Sequence, residues 1–404
     1  MRRVQPNMPE LLDESQGGVA QTRPIQTMMA DLRELIQAYR FLGVPEFAIL
    51  STDFQNAFSA INIQYLMSVL KQMNFPQVFI QLLRNLFKIR MLKIQVNGRT
   101  LTEFRMERGL NQGASLSPFL FSLALTPLVT LIKYQLAGVT YRQTKLRALV
   151  YMDDAIWITR TAGEMQKVLA ALHIFQRASN IAINAQKTKI LVMDPTAAQL
   201  YSKLGTVVPH INYLGLSWAP TIKQTIEINS QRLAQRLISE LKKYMACFQT
   251  LLARTQFVNI YIISQATHIL QMLPLTNKAQ ALITQWIGHF IWHSHVFRVK
   301  RASCYLALQE GGLNLRSISI HGQALRVHRV IQILSQHQFS FASQVIESVW
   351  QYVDRSLPLN IQVWKNMLPY LTDSLCDISY LTHTPIPMEQ WSVKNFTPTS
   401  KSNK

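Results

Sequence analysis

Leu149-Val150-Tyr151-Met152-Asp153-Asp154-Ala155-Ile156-Trp157-Ile158 is the stretch on which the reading of this chain turns. Two short apolar runs flank two adjacent carboxylates, so the segment predicts a β-hairpin with both aspartates at its tip. Adjacent carboxylates repel, and one of them takes up a proton unless a cation sits beside the pair. Ligands that are all oxygen favour Mg²⁺ or Mn²⁺. Side chains diverge at a turn, so a further carboxylate is expected from elsewhere. Asp53 is the candidate: it ends the apolar run Phe47-Ala48-Ile49-Leu50, which reads as a buried strand. Set beside the hairpin, Asp53 would complete a two-metal site for in-line phosphoryl transfer. Taken singly, Asp53 reads as well as a helix N-cap, and Asp153-Asp154 also fits an ordinary polar turn.

Outward from the hairpin, the pattern is mixed. Residues 1–30, rich in Pro, Gln and Gly, predict irregular chain, and Ala30 to Leu42 a helix stopped by Gly43 and Pro45. Tyr65, Leu66, Val69 and Leu70 share one helical face, and Phe79, Ile80, Leu83, Leu86 and Phe87 another. Leu92, Ile94 and Val96 alternate before Asn97-Gly98, a type I′ hairpin turn with Leu101 to Met106 returning. Thr161 and Glu164 form a capping box that opens a helix carrying Met165, Val168, Leu169, Leu172 and Phe175. Ile190-Leu191-Val192 and Tyr213-Leu214-Gly215-Leu216 read as strands. Beyond residue 220 only helical spacing is found, as in Leu233, Leu237, Leu241 and Tyr244, and in Phe257, Ile260, Tyr261 and Ile263. This shift puts a boundary near 217–226, with breaks at Pro274 and Pro358 and a polar tail after Asn395. Leu116 to Ile132 has the composition of a membrane span, but Pro118, Pro127 and a marginal length favour a buried helix.

Charge narrows the class of partner. The 404 residues carry 41 Lys/Arg against 21 Asp/Glu, a net charge of +20 that predicts a polyanion, with nucleic acid foremost. Residues 54–150 hold 12 basic and two acidic residues, and residues 201–330 hold 14 and three, as two walls of a channel would. Solvated helix faces are the plainer reading of the same runs. Cys247, Cys304 and Cys376 are too scattered for a zinc site or disulfide framework and fit a reducing compartment. No secretory signal is found, so nucleus or cytoplasm is expected, with no membrane partner.

The ordered set of motifs resembles the reverse transcriptase domain of LINE-type (non-LTR) retrotransposons. Thr52-Asp53-Phe54 with Ala57-Phe58 resembles that family's first palm motif. Arg108-Gly109-Leu110-Asn111-Gln112-Gly113, with Leu116-Ser117-Pro118, resembles the second, and Tyr151-Met152-Asp153-Asp154 the third. Asn184 with Lys187-Thr188 resembles the fourth, and Tyr213-Leu214-Gly215 the fifth, the primer grip. Ser15-Gln16-Gly17 with Arg23 resembles the end of the fingers. Arg254, Leu273-Pro274, Phe290-Ile291-Trp292 and Gly311-Gly312-Leu313 resemble the thumb and the elements beyond it.

The resemblance implies an α+β right-hand polymerase with an antiparallel palm sheet, truncated fingers and a helical thumb. Its expected divisions are partial fingers over 1–50, palm over 51–217, thumb over 218–275 and a helical region over 276–404. It implies RNA-directed DNA synthesis with Mg²⁺ or Mn²⁺, an RNA template, a DNA primer or nicked target DNA, and dNTPs. Asp53, Asp153 and Asp154 would be catalytic metal ligands and Lys187 the acid for the leaving pyrophosphate. Arg23, Phe54, Ala57, Phe58, Gln112, Gly113, Tyr151 and Met152 would bind the nucleotide, with the Phe58 ring barring a 2′-hydroxyl. Departures from the family pattern are Ala114-Ser115 after Gln112-Gly113 and Ser59 in place of an acidic residue. The early fingers, an endonuclease and a Cys/His knuckle are not found, so a fragment of a longer element is expected. A catalytically inactive nucleic-acid-binding remnant is the alternative.

Overall fold

The computed structural model describes residues 8–19, 23–88, 90–100, 102–248, 250–294, 298–336 and 340–346. Pro358, Cys376 and the tail after Asn395 lie outside them. The fold is α+β, in two compact units: Met1–Met28, Pro45–Thr140 and Lys145–Gly215 make the first, and Met29–Val44, Tyr141–Thr144 and Leu216–Lys404 the second.

The N-terminal segment is more regular than its composition predicts. Met8–Leu11 is helical, β1 (Gln16–Gly17) is a strand, and helix α1 (Ile25–Phe41) starts five residues ahead of Ala30, just after Pro24. Proline is compatible with a helix start, where its missing N–H is not needed.

The first unit is built on a six-stranded sheet. Its strands are β1, β2 (Ala48–Gln55), β3 (Ala148–Tyr151), β4 (Asp154–Thr159), β5 (Ala182–Ile183) and β6 (Lys189–Val192). The order is β1-β3-β4-β2, with β5 and β6 both pairing with β2. All pairings are antiparallel except β1 with β3. Alternation along the strands sorts side chains to two faces. Ala48, Leu50, Phe54, Val150, Ala155 and Trp157 join the apolar cluster. That cluster is completed by helices α2 (Ile63–Gln72), α3 (Gln77–Lys88), α4 (Ser117–Gln135) and α5 (Ala162–Ser179). Asp53 and Asp154 are directly opposed in the register and therefore share the other face.

Helix α4 is the one described helix long and apolar enough to cross a membrane by length and composition. Phe119, Phe121, Leu123, Ala124, Val129 and Ile132 on it are fully buried in the protein core, and Pro127 is accommodated within it. The Asn97-Gly98 turn has φ of 49° and 78°, and Gln95 and Val96 pair with Thr100 and Arg99. Thr161 caps α5 by accepting from Glu164 N, but the return bond differs from a capping box: Glu164 accepts from Arg160 N and Ala137 N instead of from the cap residue. The Tyr213–Leu216 strand reading is corrected too. Leu214 and Gly215 have φ of 50° and 82°, so the chain turns there, after the strand Ile211–Tyr213.

The second unit is helical in its described part beyond Trp218. Its main helices are α6 (Ile222–Lys243), α7 (Leu251–Phe257), α8 (Ile263–Leu270), α9 (Asn277–Trp292) and α10 (Ile318–Gln336). Leu233, Leu237, Leu241, Ile283, Ile287 and Phe290 form its core. Between α7 and α8 the wider π turn Val258–Ile262 adds a residue per turn. It buries Val258 and Ile262 and leaves Ile260, expected on the inner face, 74% exposed. Arg254 donates to the Ile291 and Phe248 carbonyls, tying α7 to the end of α9.

Candidate active site

The third motif folds as the hairpin its sequence predicts. Tyr151 pairs with Asp154 across a two-residue turn, Met152-Asp153, and Met152 has φ of 55°. A left-handed methionine costs about 1–2 kcal/mol, and strain of this sort concentrates at functional sites. Gly17 and Gly18 let the neighbouring strand approach: a Cβ on Gly18 would lie 2.9 Å from the Met152 side chain.

Asp154 opens β4 opposite Asp53 on β2, so two carboxylates stand side by side on one face of the sheet. Like charges directly opposed are unfavourable. The Asp154 carboxyl is pushed up to about 6, first by burial, then by the charges of Asp153 and Asp53, with Lys187 pulling the other way. Lys187 Nζ lies 3.2 Å from Asp53 Oδ2. The lysine is delivered there by a turn hung from Asp53 itself. Asn184 N donates to the Asp53 carbonyl at 2.8 Å, and Lys187 N donates to the Asn184 carbonyl at 3.1 Å. Asn184 Oδ1 accepts from the same Lys187 N–H at 3.2 Å. Asp153 is exposed at the tip. Among the described residues no three acidic, histidine or cysteine side chains close into a ready-made metal cage.

The second motif is stitched to the first. Leu110 N donates to Phe58 O at 2.6 Å and Gly109 N to Ile61 O at 2.9 Å. Gly109 has φ of 82°, and a Cβ there would lie 2.5 Å from Ser59 O. Arg90, which no sequence motif singled out, donates to Gly109 O at 2.7 Å and Asn111 Oδ1 at 3.3 Å. Gln112 and Gly113 stand exposed in the loop ahead of α4. Phe58 is half-buried and stacks on the fully buried Phe121, with ring centroids 4.6 Å apart.

Three residues expected at the nucleotide site, Phe54, Ala57 and Met152, have side chains in or against the apolar core. Phe54 points to the helical side of the sheet, 6.0 Å from the Phe175 ring, because it is one residue out of phase with Asp53. Ala57 is buried in the same core. Met152 is half-buried against that core, with its sulfur 3.9 Å from Ser122 Oγ.

Tyr213 is buried, and its phenol is raised well above 10, chiefly by burial and then by the Asp154 charge, with Arg23 opposing. Arg23 donates to Glu14 O at 3.2 Å. Tyr213 is thus an electrostatic neighbour of Asp154 on one side and of Arg23 on the other. A cavity of about 460 Å³ opens at the carboxylates, lined by Asp53, Asp154, Lys187, Lys189, His210 and Asn212 among others. Lys189, His210 and Asn212 escaped the sequence reading. Lys189 opens the apolar run Ile190-Leu191-Val192, which gives no sign of the face it takes, and its alignment with Ser51, two residues before Asp53, comes only from the pairing of β6 with β2.

The sequence profile of the family described as "Reverse transcriptase (RNA-dependent DNA polymerase)" matches residues 17–218, half of the 404-residue chain. The chain belongs to the reverse transcriptase family. This reverse transcriptase is 23% identical over 344 residues to the "Transposon TX1 uncharacterized 149 kDa protein" of Xenopus laevis, covering 82% of the chain and 26% of that protein. It is 22% identical over 322 residues to the "Retrovirus-related Pol polyprotein from type-2 retrotransposable element R2DM" of Drosophila melanogaster, covering 74% of the chain and 30% of that protein. The chain therefore spans between a quarter and a third of these relatives. Among solved structures, telomerase from Candida tropicalis with a TWJ fragment of telomeric RNA aligns over 86% of the chain and 56% of its own, at 14% identity and a TM-score of 0.43. Reverse transcriptases as a family use divalent metal ions.

Proposed function

We propose that this reverse transcriptase is the polymerase core of a non-LTR retrotransposon, joining dNTPs to a primer 3′-hydroxyl on an RNA template. The observation that carries the reading is the register match of Asp53 with Asp154, with Asp153 at the adjoining turn. Three carboxylates so placed, one of them raised to about 6, call for a cation, and their oxygen-only chemistry suits Mg²⁺ or Mn²⁺. Asp53, Asp153 and Asp154 would hold the ions, which when bound supply Lewis acidity and charge neutralisation for in-line phosphoryl transfer.

The chain's own residues do the rest. Lys187 gives its proton to the departing pyrophosphate, a role supported by its ion pair with Asp53 and its tether to Asn184. Phe58, propped on Phe121, closes the space a 2′-hydroxyl would need. Gln112 and Gly113 meet the incoming nucleotide, the latter with φ of 88° and no side chain in the way. Arg23 pairs with the triphosphate, and Tyr213, Leu214 and Gly215 hold the primer. Residues 218–275 act as thumb.

Primer extension on an RNA template with Mg²⁺ and dNTPs tests the reading. Wild-type protein should extend, and Asp53→Asn and Asp154→Asn should each lose at least about a thousandfold, since such carboxylates position the metals of the reaction. If wild-type protein binds the template–primer but fails to extend it with either Mg²⁺ or Mn²⁺, the chain is a nucleic-acid-binding remnant instead.

A further inference from the structure

The cavity beside the carboxylates has a second wall, and its chemistry differs from the first. Asp53 and Asp154 line one side, while Lys187, Lys189 and His210 contribute nitrogen groups to the same space. The two lysines are not equivalent. Lys187 is engaged by Asp53 at 3.2 Å. Lys189 has no carboxylate partner among the described residues, and it is half-buried rather than fully solvated. Its direction is fixed by the sheet. Lys189 pairs with Ser51, and Ile190 pairs with Leu50. Ile190 and Leu50 lie in the apolar cluster on the helical side, so Lys189 stands on the face that carries Asp53 and Asp154.

The remaining wall is the segment that runs into Tyr213. Ile190 N donates to Thr206 O at 2.9 Å, and Val208 N donates back to Ile190 O at 2.9 Å. These bonds hold residues 206–208 along the edge of β6, and His210 and Asn212, both exposed, follow them in the chain and line the cavity. Tyr213 comes next in the chain and is buried.

The geometry points to a phosphate seat: Lys189, with His210 at its rim, contacts the 3′-terminal phosphodiester of the primer strand. The inference rests on the polymerase reading above. Phosphate is the ligand chemistry because a strongly hydrated ammonium held in a wet groove suits a point anion, and because the neighbouring carboxylates leave Lys189 uncompensated. The primer is favoured over the nucleotide as its source because the wall containing His210 and Asn212 continues directly into Tyr213-Leu214-Gly215. A primer seated there would bring its 3′ end alongside Asp53 and Asp154 on the same face.

The test uses the whole chain with an RNA template and a DNA primer, either unmodified or carrying one neutral methylphosphonate at its last linkage. Binding is measured at several salt concentrations, and the dNTP KM at saturating primer. Lys189→Gln should weaken binding of the unmodified primer about tenfold, the scale of one charge-assisted hydrogen bond. It should also reduce the salt slope by about 0.7–0.9. The methylphosphonate should cost wild-type protein about the same and cost Lys189→Gln nothing further, while Lys189→Arg retains most of the binding. If Lys189→Gln instead raises the dNTP KM and leaves primer binding unchanged, the seat belongs to the triphosphate and the primer assignment is overturned. Additive losses from variant and methylphosphonate would overturn it as well, since they mean separate sites. Binding does not depend on catalysis, so this outcome is read independently of whether Asp154→Asn abolishes extension.

Discussion

Replacing Asp154 with Asn should stabilise the metal-free protein at pH 8 and leave it unchanged near pH 3.8 and below. In the folded protein the Asp154 carboxyl is raised from 3.8 to about 6, mainly by burial and then by Asp153 and Asp53. A shift of that size corresponds to at most about 3 kcal/mol. The group is only partly buried, so solvent screening reduces this to roughly 1–1.5 kcal/mol. The sign comes from proton linkage. Between pH 3.8 and about 6 the unfolded chain has lost the proton and the folded one still holds it, so stability falls as pH rises and levels off above about 6. Asn is isosteric and carries no charge, so it removes the penalty where it exists and nothing where it does not. The assay is denaturant unfolding of both proteins in EDTA across pH 4 to 8, comparing midpoints at constant m. Excess Mg²⁺ should reverse the order at pH 8, because a ligand at about 100 times its Kd adds about 2.7 kcal/mol to the protein that binds it. An Asn variant no more stable than wild type at pH 8 in EDTA, or equally stabilised at both ends of the range, would refute the electrostatic account of the three aspartates.

Lys187→Met should slow single-turnover incorporation about a hundredfold, as loss of a general acid does, while shifting metal-free stability by less than about 1 kcal/mol because its ion pair is exposed. An unchanged rate makes Lys187 a counter-ion only. Phe58→Val should raise the use of ribonucleotides relative to deoxynucleotides about ten- to a hundredfold, measured as the ratio of kcat/KM. An unchanged ratio in an active variant assigns Phe58 to the core with Phe121. Gly109→Ala should destabilise the protein by about 2–4 kcal/mol, since it joins a left-handed φ to a backbone collision, and a thermal melt within error of wild type would contradict the tight seam between Gly109 and Ser59. Template–primer affinity should fall steeply between 50 and 200 mM salt, by about 0.7–0.9 in log slope per phosphate contacted; flat binding would remove the nucleic-acid channel.

Local chemistry in this chain is legible wherever a few adjacent residues dictate it. Two carboxylates between apolar runs predict the hairpin at Asp153, and Asn97-Gly98 predicts the other, because each depends on backbone preferences of the turn residues themselves. Asp53 is readable as a site residue by the company it keeps, but its direct opposition to Asp154 is not, since register is a property of two strands. The same limit explains Phe54. It sits beside Asp53 in sequence, yet a period of two sends it to Phe175 and the core. Ile260 escapes because a π turn changes the helical period at the one place where the spacing is counted. Lys189 escapes for the opposite reason: an isolated lysine next to an apolar run carries no signal until β6 is laid against β2 and Ser51 brings it to the carboxylate face. What sequence leaves open here is therefore not chemistry but phase, and at this site phase decides which side chains a bound phosphate can reach.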